Sequence, residues 1–187
     1  MSLDITFKNN SKEVDYLIKK DPNLKELFKH PDEIKVTLST DYYQSLVQTI
    51  IAQQLSTEVA DVIYNRLYDL LDQDIKPDHI IKISEDELRN IGLSRPKIKY
   101  LKSLATHVIE KQTDFDSFVH MTNQEIIDQL VEIKGIGIWT AQMFLMFSMG
   151  RLDVFSTGDL GLRNALKQLL NKPDMTLEEI EAYSQKW

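Results

Sequence analysis

The sequence predicts an all-α protein, and three observations predict it. Apolar residues recur at helical spacing along almost the whole chain. Only Val36-Thr37-Leu38-Ser39-Thr40 has the β-branched character of a strand. The six glycines, Gly92, Gly135, Gly137, Gly150, Gly158 and Gly161, stand at the joints between apolar segments rather than inside them. Together these features predict about eight or nine helices.

Taken in order, residues 1–35 are polar and charged and are expected to form an N-terminal helical arm, with the main domain running over 36–187. Leu46, Val47, Ile50, Ile51 and Leu55 then mark one helical face. After a polar break at Gln53-Gln54, a second face follows at Val59, Val62, Ile63, Leu67 and Leu70. Ile98, Leu101, Leu104, Ala105, Val108 and Ile109 form a third, and Ile126, Ile127, Leu130 and Ile133 a fourth. An apolar helix over 138–149 is flanked by two glycine blocks, Lys134-Gly135-Ile136-Gly137 and Gly158-Asp159-Leu160-Gly161.

Bulk composition narrows the function classes. A chain of 187 residues with 42% hydrophobic and 27% charged residues has the balance of a globular protein with a real core. Cysteine is absent, which excludes disulfides, cysteine-ligated zinc, iron–sulfur clusters and a thiol nucleophile, and suits a cytoplasmic location. No apolar run approaches the roughly 18 residues that span a bilayer, so no membrane partner is expected. The net charge of −7 argues against non-specific coating of nucleic acid. Charge is uneven, however: residues 89–109 carry Arg89, Arg95, Lys97, Lys99 and Lys102 with no acidic residue. A local basic face on an acidic body can hold a phosphate backbone, and it can equally be a solvated helix face.

The stretch Ile133-Lys134-Gly135-Ile136-Gly137-Ile138-Trp139-Thr140 carries the sharpest signal. A Gly-x-Gly turn between two helices lets the chain take positive φ and leaves no side chain to bar an anion. The amides opening the second helix, with the positive end of its dipole, then favour a phosphate. A tight helix–helix corner with glycine caps has the same pattern.

The pattern Leu130-x-x-Ile133-Lys134-Gly135-Ile136-Gly137-x-Trp139-Thr140-Ala141 resembles the helix-hairpin-helix motif of DNA repair proteins. Three other blocks keep it company. They are Leu46-Val47-x-x-Ile50-Ile51-x-Gln53-Gln54-Leu55-Ser56, Gly92-Leu93-Ser94-Arg95-x-Lys97-x-x-Tyr100-Leu101, and Asp153-Val154-Phe155-Ser156-Thr157-Gly158-Asp159-Leu160. In this order and at these spacings the set resembles the 3-methyladenine DNA glycosylase II family of the helix-hairpin-helix glycosylase superfamily, from about Tyr42 to Trp187.

The resemblance implies a two-lobed helical fold with interleaved sub-lobes and a base pocket in the interlobe cleft. It implies a monomer that cleaves the N-glycosidic bond of alkylated purines in double-stranded DNA, with no required cofactor. Asp159 is then the catalytic carboxylate, Trp139 and Met143 with Tyr42 and Tyr43 line the base pocket, and Gln54 and Leu55 form the wedge that fills the duplex. The backbone grip falls to Lys134, Gly135, Ile136, Gly137 and Thr140, with Arg95 and Lys97 on the basic helix. The carbonyls of Val131, Ile133 and Gly135 match the positions that hold a monovalent cation, Na⁺ or K⁺, in relatives.

These residue types suit that chemistry. An aspartate opening Gly158-Asp159-Leu160-Gly161 is a candidate N-cap, and the helix dipole keeps such a carboxylate ionised. Glycosidic cleavage builds oxocarbenium-like charge on the sugar, which a fixed anion stabilises. N3- or N7-alkylated purines are already cationic and leave without a partner acid. An indole at 139 stacks on such a base by cation–π attraction of ~1–2 kcal/mol when desolvated. Relatives with lysine at this position also cut the strand; Trp139 therefore implies a monofunctional enzyme. Three departures stand out: Met143 replaces a frequent tyrosine, Ser156 replaces a frequent proline, and the family's usual final helix beyond position 187 is expected to be missing. A catalytically silent helix-hairpin-helix DNA-binding module is the alternative reading.

Overall fold

The computed structural model describes residues 3–29 and 33–187. The chain divides into two compact units, the first formed by the residues up to Thr40 together with Leu145–Trp187, the second by Asp41–Phe144. Helices dominate both, as the periodicity predicts.

The second unit is wholly helical among its described elements. Its α-helices are α2 (Tyr42–Ala52), α3 (Thr57–Leu70), α4 (Pro77–Lys82), α5 (Glu85–Asn90), α6 (Arg95–Ile109) and α7 (Asn123–Val131), followed by the first part of α8 (Ile138–Phe147). Each start has a local cause. Asp41, Ser84, Ser94 and Thr122 cap α2, α5, α6 and α7 by accepting an amide hydrogen bond in the first turn. Ser84-x-x-Glu87 and Thr122-x-x-Glu125 close reciprocal capping boxes. Leu46, Val47, Ile50 and Ile51 of α2 are fully buried, and so are Leu101, Leu104 and Ala105 of α6, which packs against α2, α4 and α5.

Helix α3 corrects the expected face. Ala60, Ile63 and Leu67 are buried, whereas Val59, Val62 and Leu70 are exposed. Apolar residues outnumber the positions that one buried stripe can hold, so composition alone misjudges which of them turn inward.

The first unit departs from the helical arm expected over 1–35. Strand β1 (Leu3–Lys8) pairs antiparallel with β2 (Glu33–Leu38), Leu3 opposite Leu38 and Lys8 opposite Glu33. Helix α1 (Lys12–Lys20) and a 3-10 segment, Pro22–Lys29, lie between them in sequence, and the boundary expected at 35 falls inside β2. Residues 1, 2 and 30–32 of that expectation lie outside the described residues. Leu3, Ile5 and Phe7 alternate with polar residues, a period-2 signal too short to stand out from the charged surroundings. The ribbon is fastened by Asp4, which accepts from Thr37 Oγ1 at 2.8 Å and pairs with Lys35 Nζ at 2.8 Å.

The rest of this unit is C-terminal. Helices α9 (Leu160–Leu169) and α10 (Leu177–Ser184) contribute Leu166 and Ile180 to a small core with Met175, against which Phe155, Leu170, Tyr183 and Trp187 pack. Gly150, at φ +71°, brings its backbone so close to the ribbon that a Cβ there would lie 2.8 Å from Leu38 Cδ1.

Candidate nucleic-acid interface

The hairpin joins α7 to α8 through a tight turn in which Ile136 N–H donates to Ile133 C=O at 3.0 Å. Its two glycines have different reasons. Gly135 sits at φ +92°, and a Cβ there would come within 2.2 Å of Tyr100 Cγ, so only a bare Cα fits over that ring. Gly137 has no positive φ, and an added Cβ would meet nothing within 4 Å. It leaves open space at the helix entrance. Ala141 N–H donates to Gly137 C=O at 3.0 Å where α8 begins.

Beside the hairpin runs the α2–α3 turn. Gln54 takes φ +58°, an uncommon conformation for a residue with a side chain, and Leu55 is 38% exposed. An exposed leucine next to a left-handed residue is the shape a wedge requires. Two bonds hold the turn on its α2 side. Gln53 Nε2 donates to Gly135 C=O at 2.8 Å, and Lys97 Nζ donates to Ile51 C=O at 2.7 Å.

Helix α6 braces both elements. Lys97 reaches the end of α2, Tyr100 lies under Gly135, and Ser103 Oγ accepts Lys134 N–H at 3.1 Å. These residues are spaced i, i+3 and i+6, on successive turns of one side of the helix. The expected basic face is therefore partly structural. Lys97, expected on the DNA backbone, is half-buried, caps α2, and has its pKa pushed below the usual lysine range by burial. Lys102 donates to Ile83 C=O at 2.8 Å at the end of α4. Cations at helix C-termini satisfy carbonyls that have no partner in the helix. Arg95, in the first turn of α6, remains exposed.

The other expected side chains divide. Trp139 is 48% exposed and Met143 half-buried. Ile136 and Thr140 are buried, so only their backbones could meet a strand. Tyr42 packs edge-on against Phe144 and Phe115, with centroids 5.4 and 6.3 Å away. Tyr43, expected on a pocket wall, is a core residue. It is 7% exposed, its hydroxyl has no hydrogen-bond partner, and burial pushes its pKa up, helped by Asp41 and Asp78.

Asp159 belongs to the first unit. It is the N-cap of α9, and its Oδ1 accepts Leu162 N–H at 2.8 Å. It is half-buried rather than fully enclosed. Gly161 is tight against it, since a Cβ there would lie 3.2 Å from that Oδ1.

The carbonyl set considered for a cation is three neutral oxygens within five residues of the turn, the donor chemistry that Na⁺ and K⁺ accept. Ile133 C=O already accepts from Ile136, and Gly135 C=O from Gln53. Each of these two carbonyls retains a second lone pair for a further contact.

Sequence reasoning missed Gln53, Tyr100 and Ser103 as parts of this site. It also missed Asp21, a buried carboxylate in the unit that carries Asp159. Asp21 accepts from Tyr183 Oη at 2.8 Å, Trp187 Nε1 at 3.3 Å and Asn23 Nδ2 at 2.9 Å, and pairs with Lys186 Nζ at 3.0 Å. The sequence signal was slight: Asp21-Pro22-Asn23 at a helix end reads as an Asx-type turn.

Two helices joined through a glycine turn, braced by a third and set beside an exposed apolar turn, define a helix-hairpin-helix protein. Residues 47–187 match the HhH-GPD superfamily base excision DNA repair protein family, and the chain belongs to it. A Saccharomyces cerevisiae relative, "DNA-3-methyladenine glycosylase", is 34% identical over 184 residues, covering 88% of this chain and 61% of that protein. The chain thus spans about three fifths of the length of this curated relative and of others it matches. A crystal structure of DNA-3-methyladenine glycosidase from Bacillus halodurans superimposes with a TM-score of 0.90 at 34% identity, over 98% of this chain and 85% of that one. The Schizosaccharomyces pombe 3-methyladenine DNA glycosylase Mag1, in complex with abasic DNA, gives a TM-score of 0.77 at 30% identity, over 94% of this chain and 89% of that one.

Proposed function

We propose that this protein is a monofunctional DNA glycosylase that hydrolyses the N-glycosidic bond of alkylated purines, of the 3-methyladenine and 7-methylguanine type, in double-stranded DNA. The observation that carries the reading is the carboxylate of Asp159 held at the N-terminus of α9 in a chain of this family. The relatives named above supply the substrate class, and Trp139 in place of a lysine supplies the absence of lyase chemistry.

In this reading the flipped base stacks on the indole of Trp139, whose π-face favours a cationic purine. The C1′–N bond breaks with its electron pair passing to the base, which leaves neutral because the alkyl group had already made it cationic. Asp159 stabilises the positive sugar and accepts the proton released when water bonds to C1′. Leu55 and Gln54 fill the vacated stack, while the hairpin amides and Arg95 hold phosphates. A monovalent cation on the carbonyls of Val131, Ile133 and Gly135 would neutralise phosphate charge at the turn. We place the protein as a monomer in the cytoplasm.

The test is release of free 3-methyladenine and 7-methylguanine from methylated duplex DNA by the wild type and by Asp159→Asn. Release by the wild type with at least about 100-fold loss in the variant, the size of a deleted electrostatic stabiliser, supports the reading. If both are inert while duplex binding persists, the protein is a silent DNA-binding module.

A further inference from the structure

We propose that Gln53 is a positioning residue that couples the hairpin to the α2–α3 turn, so that seating the DNA backbone on the hairpin sets the depth of the wedge. The proposal rests on the glycosylase reading for its biological sense, but its argument is geometric. Gln53 is the last residue before the strained Gln54, and its amide reaches 82 positions along the chain to the Gly135 carbonyl at 2.8 Å. Gly135 is itself pinned, because its Cα lies on the Tyr100 ring and the amide before it, Lys134 N–H, is held by Ser103. The hairpin end of the bond therefore cannot drift. On the same side of the turn, Lys97 fixes the last turn of α2 through Ile51 C=O.

A left-handed residue with a side chain costs about 1–3 kcal/mol and persists only where its surroundings over-determine it. Here those surroundings are the Gln53–Gly135 and Lys97–Ile51 bonds, with Leu55 N–H donating to Ala52 C=O at 3.0 Å across the turn. The exposed Leu55 is thus presented on a turn whose position is referenced to the phosphate-facing hairpin rather than to its own helix alone. Without the Gln53 amide, the hairpin can still bind a strand, but the turn loses its register against it.

The experiment uses the whole chain with Gln53→Met, which keeps the length and removes the donor, and Gln53→Glu, whose carboxylate cannot donate to a carbonyl at pH 8. Thermal midpoint, affinity for a duplex carrying an abasic analogue, and fluorescence of 2-aminopurine placed beside that site are measured. The expected result is a midpoint lowered by about 2–4 °C, the loss of one hydrogen bond, with affinity within about 3-fold of wild type and a fluorescence rise at saturating protein at least 5-fold smaller than wild type. Base release should then fall about 10-fold or more in kcat with little change in KM. A full fluorescence rise in either folded variant overturns the proposal. So does loss of midpoint and affinity in step with fluorescence, which marks a merely structural bond. A wild type that gives no rise also overturns it, because then the turn does not unstack DNA. The base-release arm separates that outcome from failure of the glycosylase reading.

Discussion

The ring of Tyr100 lies directly beneath the Cα of Gly135, leaving no room for a side chain at that position. The glycine required by the hairpin is thus imposed from below by α6 as well as by its own φ of +92°. Gly135→Ala combines about 1–2 kcal/mol of backbone strain with about 1–3 kcal/mol of overpacking. Urea unfolding should show a loss in that combined range, and Gly135→Ala with Tyr100→Ala should lose less than the sum of the two singles. Gly137→Ala, facing open space, should leave stability within about 0.5 kcal/mol, and under the proposed backbone grip it should weaken duplex binding. Equal stability losses at the two glycines would contradict this division of labour.

Arg95 and Lys97 are two residues apart on one basic helix, yet Lys97 is bonded to Ile51 C=O while Arg95 is exposed. Arg95→Ala should lower the slope of log K against log salt by about 0.9, one phosphate contact, with stability nearly unchanged. Lys97→Met should leave that slope alone. Its charged bond to Ile51 is partly offset by desolvation, so the net stability loss should be about 1 kcal/mol. Salt titration of duplex binding alongside denaturant unfolding distinguishes the two, and a slope change at Lys97 would return it to the DNA-facing set.

Much of this was legible locally. The helices of the second unit follow from apolar spacing, and the glycine turn and the capping aspartate at 159 stood out as short patterns. What escaped was every relationship between residues far apart in sequence. Gln53 looked like half of a polar break, and nothing near it announces Gly135 as its partner. Lys97 and Lys102 read as a charged face because a charge count does not show which helix ends lie within reach of each ammonium. The β1–β2 ribbon was missed because six alternating residues make a weak signal, and its partner strand begins 25 residues later.

Asp159 caps a helix in addition to its proposed chemistry, and the two roles separate by substitution. Asparagine caps as well as aspartate, so Asp159→Asn should unfold like the wild type while failing to release base. Asp159→Ala loses the bond to Leu162 N–H and should cost about 1 kcal/mol of stability as well. Thermal melts paired with base-release assays on both variants check this, and base release by Asp159→Asn at the wild-type rate would remove the carboxylate from the mechanism.

Asp21 gives the first unit a pH dependence of definite sign. Burial pushes its carboxyl up, but hydrogen bonds from Lys186, Tyr183 and Asn23 outweigh that and hold it at about 2, against an ordinary value of 3.8. A carboxylate depressed in the folded state contributes stability that is fully present above its unfolded pKa and lost as pH falls through its folded one. The shift corresponds to ~2 kcal/mol, and about half of it should be gone by pH 3. Asn resembles the protonated acid, so the difference in unfolding free energy between wild type and Asp21→Asn should be ~2 kcal/mol at pH 7 and shrink below about pH 4. The same carboxylate anchors Tyr183 and Trp187, and the Trp187 ring packs on Phe155 at 5.4 Å, four residues before Asp159. Loosening it should therefore raise amide exchange in residues 153–159 as well as lower global stability. A pH-independent difference, or exchange unchanged in that segment, would detach the buried network from the loop that delivers the carboxylate.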